Sequence, residues 1–147
     1  MSLRNDYLYL CHMRDACLDI QQFIDGFTWE SFSTDKKTQS AVIYKLAIIG
    51  EASGKLSKNF TDLHNEFAWR DIKGFRNIVV HNYDRVMQDT VWEITQKEIP
   101  EMKNQLEIMI RQQEQERASE QEKEKAPSIE DILAKEKELF NDKEFDR

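Results

Sequence analysis

Apolar residues recur at every third or fourth position along most of the chain, which is the period of an amphipathic α-helix. Runs of Val, Ile and Thr long enough to form strands are missing from the sequence. We therefore expect an all-α fold, a bundle of four to five helices. The pattern predicts helices over about Leu3 to Asp25, Asp35 to Lys58 and Phe67 to Val80, and a fourth helix from Gln88 onward.

The predicted helices are separated by short segments that differ in character. Gly26 is expected to end the first helix, since glycine adopts the left-handed conformation that often follows a helix. Residues 28–34 are predicted to form a loop whose Trp29 and Phe32 cap the core, and residues 59–66 to form a linker. These segments bring successive helices back against one another.

Three residues inside the predicted helices carry packing information. Gly50 and Gly54 lie one turn apart on the second helix, and residues without a Cβ permit close approach of another backbone. Local flexibility is the alternative interpretation, because each glycine weakens a helix. Pro100 is expected to kink or break the fourth helix, since proline lacks a backbone donor and crowds the preceding turn.

The apolar pattern stops after Met109, and the chain is divided accordingly into a helical-bundle domain, residues 1–110, and a charged C-terminal helical extension, residues 111–147. Arg111 to Lys125 is polar apart from Ala118, which predicts either a solvated helix or a disordered segment. Ser128 and Asp131 are typical of the start of a further helix. Its apolar stripe consists of Ile129, Ile132, Leu133, Leu139 and Phe140. A helix this short needs packing, so we expect it to dock on the body, a second protomer or a partner.

Charge and cysteine content restrict the function. The formal net charge is −7; residues 1–110 carry 13 Lys and Arg against 16 Asp and Glu, and the remainder carries 8 against 12. Such a chain is a poor general binder of nucleic-acid phosphates, so any RNA contact must be local. Cys11 and Cys17 have no metal-ligand spacing and are expected to be free thiols. No signal segment or long apolar stretch is present, which predicts a soluble, cytoplasmic protein.

The chemistry-bearing residues cluster at the predicted third helix and its end. A helical projection places Arg70, Lys73, Asn77 and His81 on one face, with Arg76 on its flank, about 140° from His81. His81 is suited to proton transfer because an imidazole titrates near ~6.5. Arg76 offers a fork of donors to phosphate oxygens, Asn77 could orient either group, and Arg70 and Lys73 are candidate RNA contacts.

Simpler structural roles exist for the same residues. A histidine at a helix C-terminus is often a favourable partner of the helix dipole. An arginine near Asp71 or Asp84 is often part of a surface ion pair, which contributes little free energy. His12 and His64 do not lie in a comparable polar cluster and are weaker candidates.

The order Arg76, four residues, His81, one residue, Tyr83 resembles the signature of the HEPN superfamily, in particular its HepT-like toxins. Ile48 to Ala52 and Val91 to Ile94 are also similar to family segments. The resemblance implies a homodimeric helical bundle that cleaves RNA, such as tRNA or mRNA, without a metal or other cofactor. It also implies that Arg76 and His81 are catalytic with support from Asn77.

The resemblance further implies a partner, a minimal nucleotidyltransferase antitoxin that attaches AMP to the tyrosine of the motif, here Tyr83. The motif supplies one histidine per protomer, His81, whereas the reaction benefits from both an acid and a base. This favours a composite site across a dimer. The alternative from another functional class is a noncatalytic helical dimer that binds the nucleotidyltransferase and presents a nucleotide or RNA to it.

Overall fold

Helices account for nearly all of the structure, a computed structural model that describes residues 3–78, 85–125 and 127–145, with side-chain surroundings for 5–78, 88–125 and 127–141. Within these ranges there is no strand, and the all-α prediction is confirmed. The elements are α1 (Leu3–Phe23), α2 (Trp29–Thr34), α3 (Lys36–Gly54), α4 (Lys58–Leu63), α5 (Trp69–Ile78), α6 (Arg85–Glu93), a π-helical turn (Ile94–Glu98), α7 (Ile99–Lys125) and α8 (Ile129–Phe145).

Two segments predicted to be irregular are short helices, so those predictions were wrong. Residues 29–34 form α2, which begins with a reciprocal capping pair: the Ser31 N–H donates to Thr28 Oγ1 at 3.2 Å and the Thr28 N–H donates to Ser31 Oγ at 2.9 Å. The predicted linker contains α4, which Ser57 caps by accepting from the Phe60 N–H. Local capping therefore outweighed the weak apolar periodicity of both segments.

The ends of the first two long helices follow from local chemistry. Gly26 has a φ of +77°, and the turn it forms after α1 confirms its predicted role. Asp35 caps α3 by accepting the Thr38 N–H at 3.0 Å, and this hydrogen bond lowers the pKa of the Asp35 carboxyl. A glycine turn and an aspartate cap therefore mark the end of α1 and the start of α3.

The core lies where α3 packs against α1 on one side and α5 on the other. Apolar side chains of α7, such as Ile99 and Leu106, belong to the same buried cluster. Phe32 is fully buried and Trp29 is partly buried against the core, which confirms that both cap it. Gln39 links neighbouring elements, since its amide donates to Phe32 O at 2.7 Å and its Oε1 accepts from Gln88 at 2.9 Å.

A buried carboxylate ties α1 to the start of α4. Asp6 is 5% exposed, and its two oxygens accept from the Ser57 N–H at 2.8 Å and the Ser57 hydroxyl at 2.7 Å. The same serine oxygen accepts from Phe60, so one contact satisfies the buried carboxylate and the helix cap together. The α4 segment, which leads into α5, is thereby fixed to the N-terminal helix.

The fourth predicted helix starts three residues earlier than expected and changes its winding before Pro100. Within Ile94–Glu98 the chain forms a π-helical turn, in which the Ile99 N–H donates to Ile94 O. Pro100 follows directly and has no N–H to donate. The helix is therefore not broken but continues as α7, and the wider turn takes up the irregularity expected near Pro100.

The chain divides into two compact units, Met1–Gln113 and Glu114–Arg147. The second unit contains the end of α7, which is helical to Lys125 and largely exposed, so the solvated-helix interpretation applies. Ser128 and Asp131 form the predicted capping pair at α8. The five residues of its apolar stripe are 46 to 77% exposed, and their docking partner stays a prediction. In the parts of the chain that the structure describes, no helix is long and apolar enough to cross a membrane.

Candidate active site on helix α5

Helix α5 buries an apolar set of side chains and exposes a polar one. Its buried residues are Trp69, Ile72, Phe75 and Ile78, at intervals of three. Arg70, Lys73 and Asn77 are exposed, as the sequence predicted for the polar face, and Arg76, predicted on the flank of that face, is exposed as well. The apolar stripe holds the helix on the core and leaves four potential phosphate-binding side chains facing outward.

These four side chains lie within an arc of about 120° at the ideal helical rotation. The three cations make no ion pair with another residue in the described ranges. Arg76 lies in the last turn, where a cation also interacts favourably with the helix dipole. The arrangement provides a small positive surface on an otherwise acidic protein, as a local RNA contact would require.

Two predicted site residues, His81 and Tyr83, lie outside the described residues, as do Val79 and Asp84. The structure therefore brings together Arg70, Lys73, Arg76 and Asn77 on one surface, while the roles of His81 and Tyr83 stay predictions from the sequence. His64 has a structural environment instead. Its ring packs on Phe60 with centroids 4.4 Å apart, and its Nδ1 lies 3.4 Å from a Glu66 oxygen.

The start of α5 is anchored by aromatic contacts. The Trp69 indole N–H donates to His64 O at 2.9 Å, and the Trp69 ring stacks on Phe67 with centroids 4.7 Å apart. The Phe60 ring of α4 approaches the same indole edge-on. Through these contacts α4 and the residues that follow it anchor the N-terminal end of α5, which carries the cationic surface.

The middle of α5 is placed by α3 at a position where α3 has no side chain. A Cβ on Gly50 would lie 2.8 Å from the Arg76 backbone nitrogen and 3.1 Å from Ile72 O. This confirms the predicted close packing at Gly50. At Gly54 an added Cβ would meet nothing within 4 Å, so the same prediction was wrong there. A glycine inside a helix was the sequence signal, but its contact with α5 could not be read from the sequence.

An acidic groove borders α5 on its other flank, a feature that sequence reasoning missed. It encloses a cavity of about 310 Å³ with an apolar floor that includes Phe67, Ile72 and Met102. Its carboxylates are Glu66, Asp71, Glu98 and Glu101. Burial, followed by the charges of Asp71 and Glu93, raises the pKa of the Glu98 carboxyl. In the described part of the chain no group of three acidic, His or Cys side chains could hold a metal ion.

The two flanks of α5 therefore differ in sign. An anionic strand would be repelled by the acidic groove and attracted by the surface of Arg70, Lys73 and Arg76. The difference was hidden in the sequence because the carboxylates come from α7, the π-helical turn and the segment before α5, which only the fold brings together.

An all-α bundle that presents Arg76 and Asn77 on an exposed helix face agrees with the HEPN type that the sequence motif indicated. Comparison with known proteins identifies the group within that class. The chain belongs to the HepT-like family, since the family described as Ribonuclease HepT-like matches residues 13–109. This range contains α3, α5, α6 and the core part of α7, so the match covers the elements that build the site.

Individual relatives agree with this assignment. The chain is 37% identical over 99 residues to the "Probable ribonuclease HepT" of Thermococcus cleftensis, which covers 67% of this chain and 90% of that protein. It is 32% identical over 105 residues to the "Putative RNase" of Caldanaerobacter subterraneus, and the match covers 71% of this chain and 94% of that protein. A similarly named Methanocaldococcus jannaschii protein is 29% identical over 109 residues, covering 74% and 100%. No solved structure matches the chain significantly.

Proposed function

We propose that this protein is a metal-independent endoribonuclease that acts as the toxin of a toxin–antitoxin pair. The exposed cationic surface of α5, in a chain of the Ribonuclease HepT-like family, is the observation that carries the proposal. The relatives compared above are named as ribonucleases, which supports RNA as the substrate. Within the motif, Arg76, Asn77 and His81 are the residues that would carry the reaction.

The proposed reaction uses the RNA's own 2′-hydroxyl as the nucleophile. The 2′ oxygen loses its proton and bonds to the adjacent phosphorus, and the bond from phosphorus to the 5′ oxygen breaks. The 5′ oxygen takes up a proton, so the products are a 2′,3′-cyclic phosphate and a 5′-hydroxyl, with one proton removed and one supplied. His81 is the proton-transfer group, Arg76 offsets charge on the phosphoryl oxygens and Asn77 orients the phosphate or the imidazole.

We propose a homodimer as the active form, because His81 is the only imidazole of the motif in each protomer and cannot be base and acid at the same moment. Two copies of the α5 surface in one cleft would also double its positive charge. Arg70 and Lys73, one or two turns before Arg76, would hold the neighbouring phosphates. A protomer that kept full activity after dilution to the monomeric state would contradict this part of the proposal.

We propose a minimal nucleotidyltransferase as the antitoxin, acting by AMPylation of Tyr83. Nucleotides attached two residues from His81 would add negative charge and bulk beside the proposed cleft, and both effects oppose an incoming RNA strand. Intact-mass analysis after coexpression with the transferase tests this, with Tyr83→Phe as the control. Neutralisation of the toxin with Tyr83 still unmodified would refute the AMPylation step.

The central experiment measures cleavage of total RNA and purified tRNA in excess chelator, followed by analysis of the fragment ends. Wild type should give cyclic-phosphate ends, while Arg76→Ala and His81→Ala should lose cleavage by at least about 100-fold, as removal of a group that stabilises transition-state charge typically does. Arg111, an exposed arginine on α7 and away from α5 in the sequence, provides the matched control. The Arg111→Ala protein should cleave RNA at the wild-type rate. Absence of cleavage by folded, unmodified wild type would favour the noncatalytic partner of a nucleotidyltransferase.

A further inference from the structure

The three atoms nearest to a Cβ added at Gly50 are all backbone atoms of α5. A Cβ at residue 50 would lie 2.8 Å from Arg76 N, 3.1 Å from Ile72 O and 3.2 Å from Lys73 O. In an α-helix, Ile72 O and Arg76 N are the two ends of one hydrogen bond. Rotation of a side chain cannot relieve such a clash, so any residue larger than glycine must move α5 away from α3.

The contact acts at the residue that carries the proposed phosphate ligand. Arg76 N is the nearest atom to the missing Cβ, and Arg76 as a residue is exposed. The other two glycines within helices, Gly54 and Gly74, have nothing within 4 Å of an added Cβ. Gly50 is therefore distinguished by this contact and not by glycine's general flexibility.

We propose that Gly50 is a positioning residue of the ribonuclease site: its missing side chain sets the distance of α5 from α3 and so the place of the Arg76 guanidinium. The inference rests on the function proposed above. Relieving the contact to an ordinary distance of 3.4 Å from 2.8 Å requires a shift of about 0.6 Å. Misplacement on this scale lowers catalytic rates by roughly 10- to 100-fold.

The test compares Gly50→Ala with Gly54→Ala and Gly74→Ala, two variants whose new methyl group meets no atom within 4 Å. Gly54→Ala is the matched control on α3 and should cleave RNA at the wild-type rate. Gly74→Ala strengthens α5, because alanine favours a helix by roughly 0.8–1 kcal/mol over glycine. Adding it to Gly50→Ala offsets part of the stability lost in the single variant, so the double variant serves as a second folded test protein.

We expect kcat to fall about 10- to 100-fold in Gly50→Ala, and by the same factor when the double variant is compared with Gly74→Ala alone. KM for a short RNA should change less, because Arg70 and Lys73 still attract the strand. A loss of activity that merely follows the unfolded fraction, measured by circular dichroism, would overturn the proposal. So would a kcat within about twofold of the reference in folded protein.

Hydrogen exchange of the same variants separates this inference from the proposed reaction. Amides of residues 69–78 should exchange faster in Gly50→Ala than in wild type, with α1 unchanged, whereas Gly54→Ala should leave both alone. If wild type cleaves no RNA, the ribonuclease proposal fails and the exchange data still decide the placement of α5. Unchanged exchange over residues 69–78 would refute the role of Gly50.

Discussion

Removing the Asp6 carboxylate should destabilise the bundle more than the loss of a typical polar side chain does. Asp6→Ala deletes two charge-assisted hydrogen bonds, at 2.8 Å and 2.7 Å, and leaves the Ser57 N–H without its partner. Hydrogen bonds to a charged group contribute about 1.5–3 kcal/mol each. Because Ser57 is only part-buried and water can replace some of the loss, we expect the lower end, about 3 kcal/mol in the free energy of unfolding.

Urea unfolding followed by circular dichroism at the helix band measures this loss. Asp15→Ala is the matched control, since Asp15 is 61% exposed and its only ion pair in the described part of the chain is with its neighbour Arg14. It should change stability by no more than about 0.5 kcal/mol. A loss below about 1 kcal/mol for Asp6→Ala, with an unchanged urea dependence, would refute the energetic role of the contact.

Three further predictions test the core, the thiols and the acidic groove. Phe32→Ala should lower the free energy of unfolding by about 3–5 kcal/mol, because Phe32 is fully buried. It should also change the fluorescence of Trp92, since the centroids of the two rings lie 5.1 Å apart. A loss of stability under about 1 kcal/mol would contradict the packing. Burial raises the pKa of Cys17 to about 12, so iodoacetamide at mildly alkaline pH should label part-exposed Cys11 first, and equal native labelling by mass spectrometry would count against it. The raised pKa of Glu98 means that the folded protein holds the proton of this carboxyl more tightly than the unfolded chain does, so the ionised carboxylate destabilises the fold above that pKa and the effect is lost as the pH falls below it. Glu98→Gln should therefore raise the melting temperature at pH 7 but not at pH 3. A lower melting temperature at pH 7 would refute this explanation.

The sequence determined those features that depend on near neighbours along the chain. Helical periodicity predicted α1, α3 and α5 to within a few residues, and it placed Arg70, Lys73 and Asn77 on the exposed face of α5. The end signals at Gly26 and the capping pair of α8 were equally local. The motif of the third predicted helix also indicated the family to which the chain belongs.

Local patterns were less informative where a segment is too short to show a period. Helices α2 and α4 have six residues each, and their capping residues, Thr28 and Ser57, decided their structure. The apolar stripe of the fourth predicted helix did not reveal the π-helical turn before Pro100. A pattern averaged over several turns cannot report a change of winding within one of them.

Tertiary structure decided which of the equivalent residues became important. Gly50 and Gly54 lie one turn apart on the same helix, yet α5 crosses α3 at Gly50 alone of the two. Asp6 reached Ser57 across a separation of 51 residues, and the acidic groove drew its carboxylates from separate elements. The physical reason is that helix periodicity specifies which face is buried, whereas the atoms that meet across that face depend on how complementary surfaces of distant segments pack.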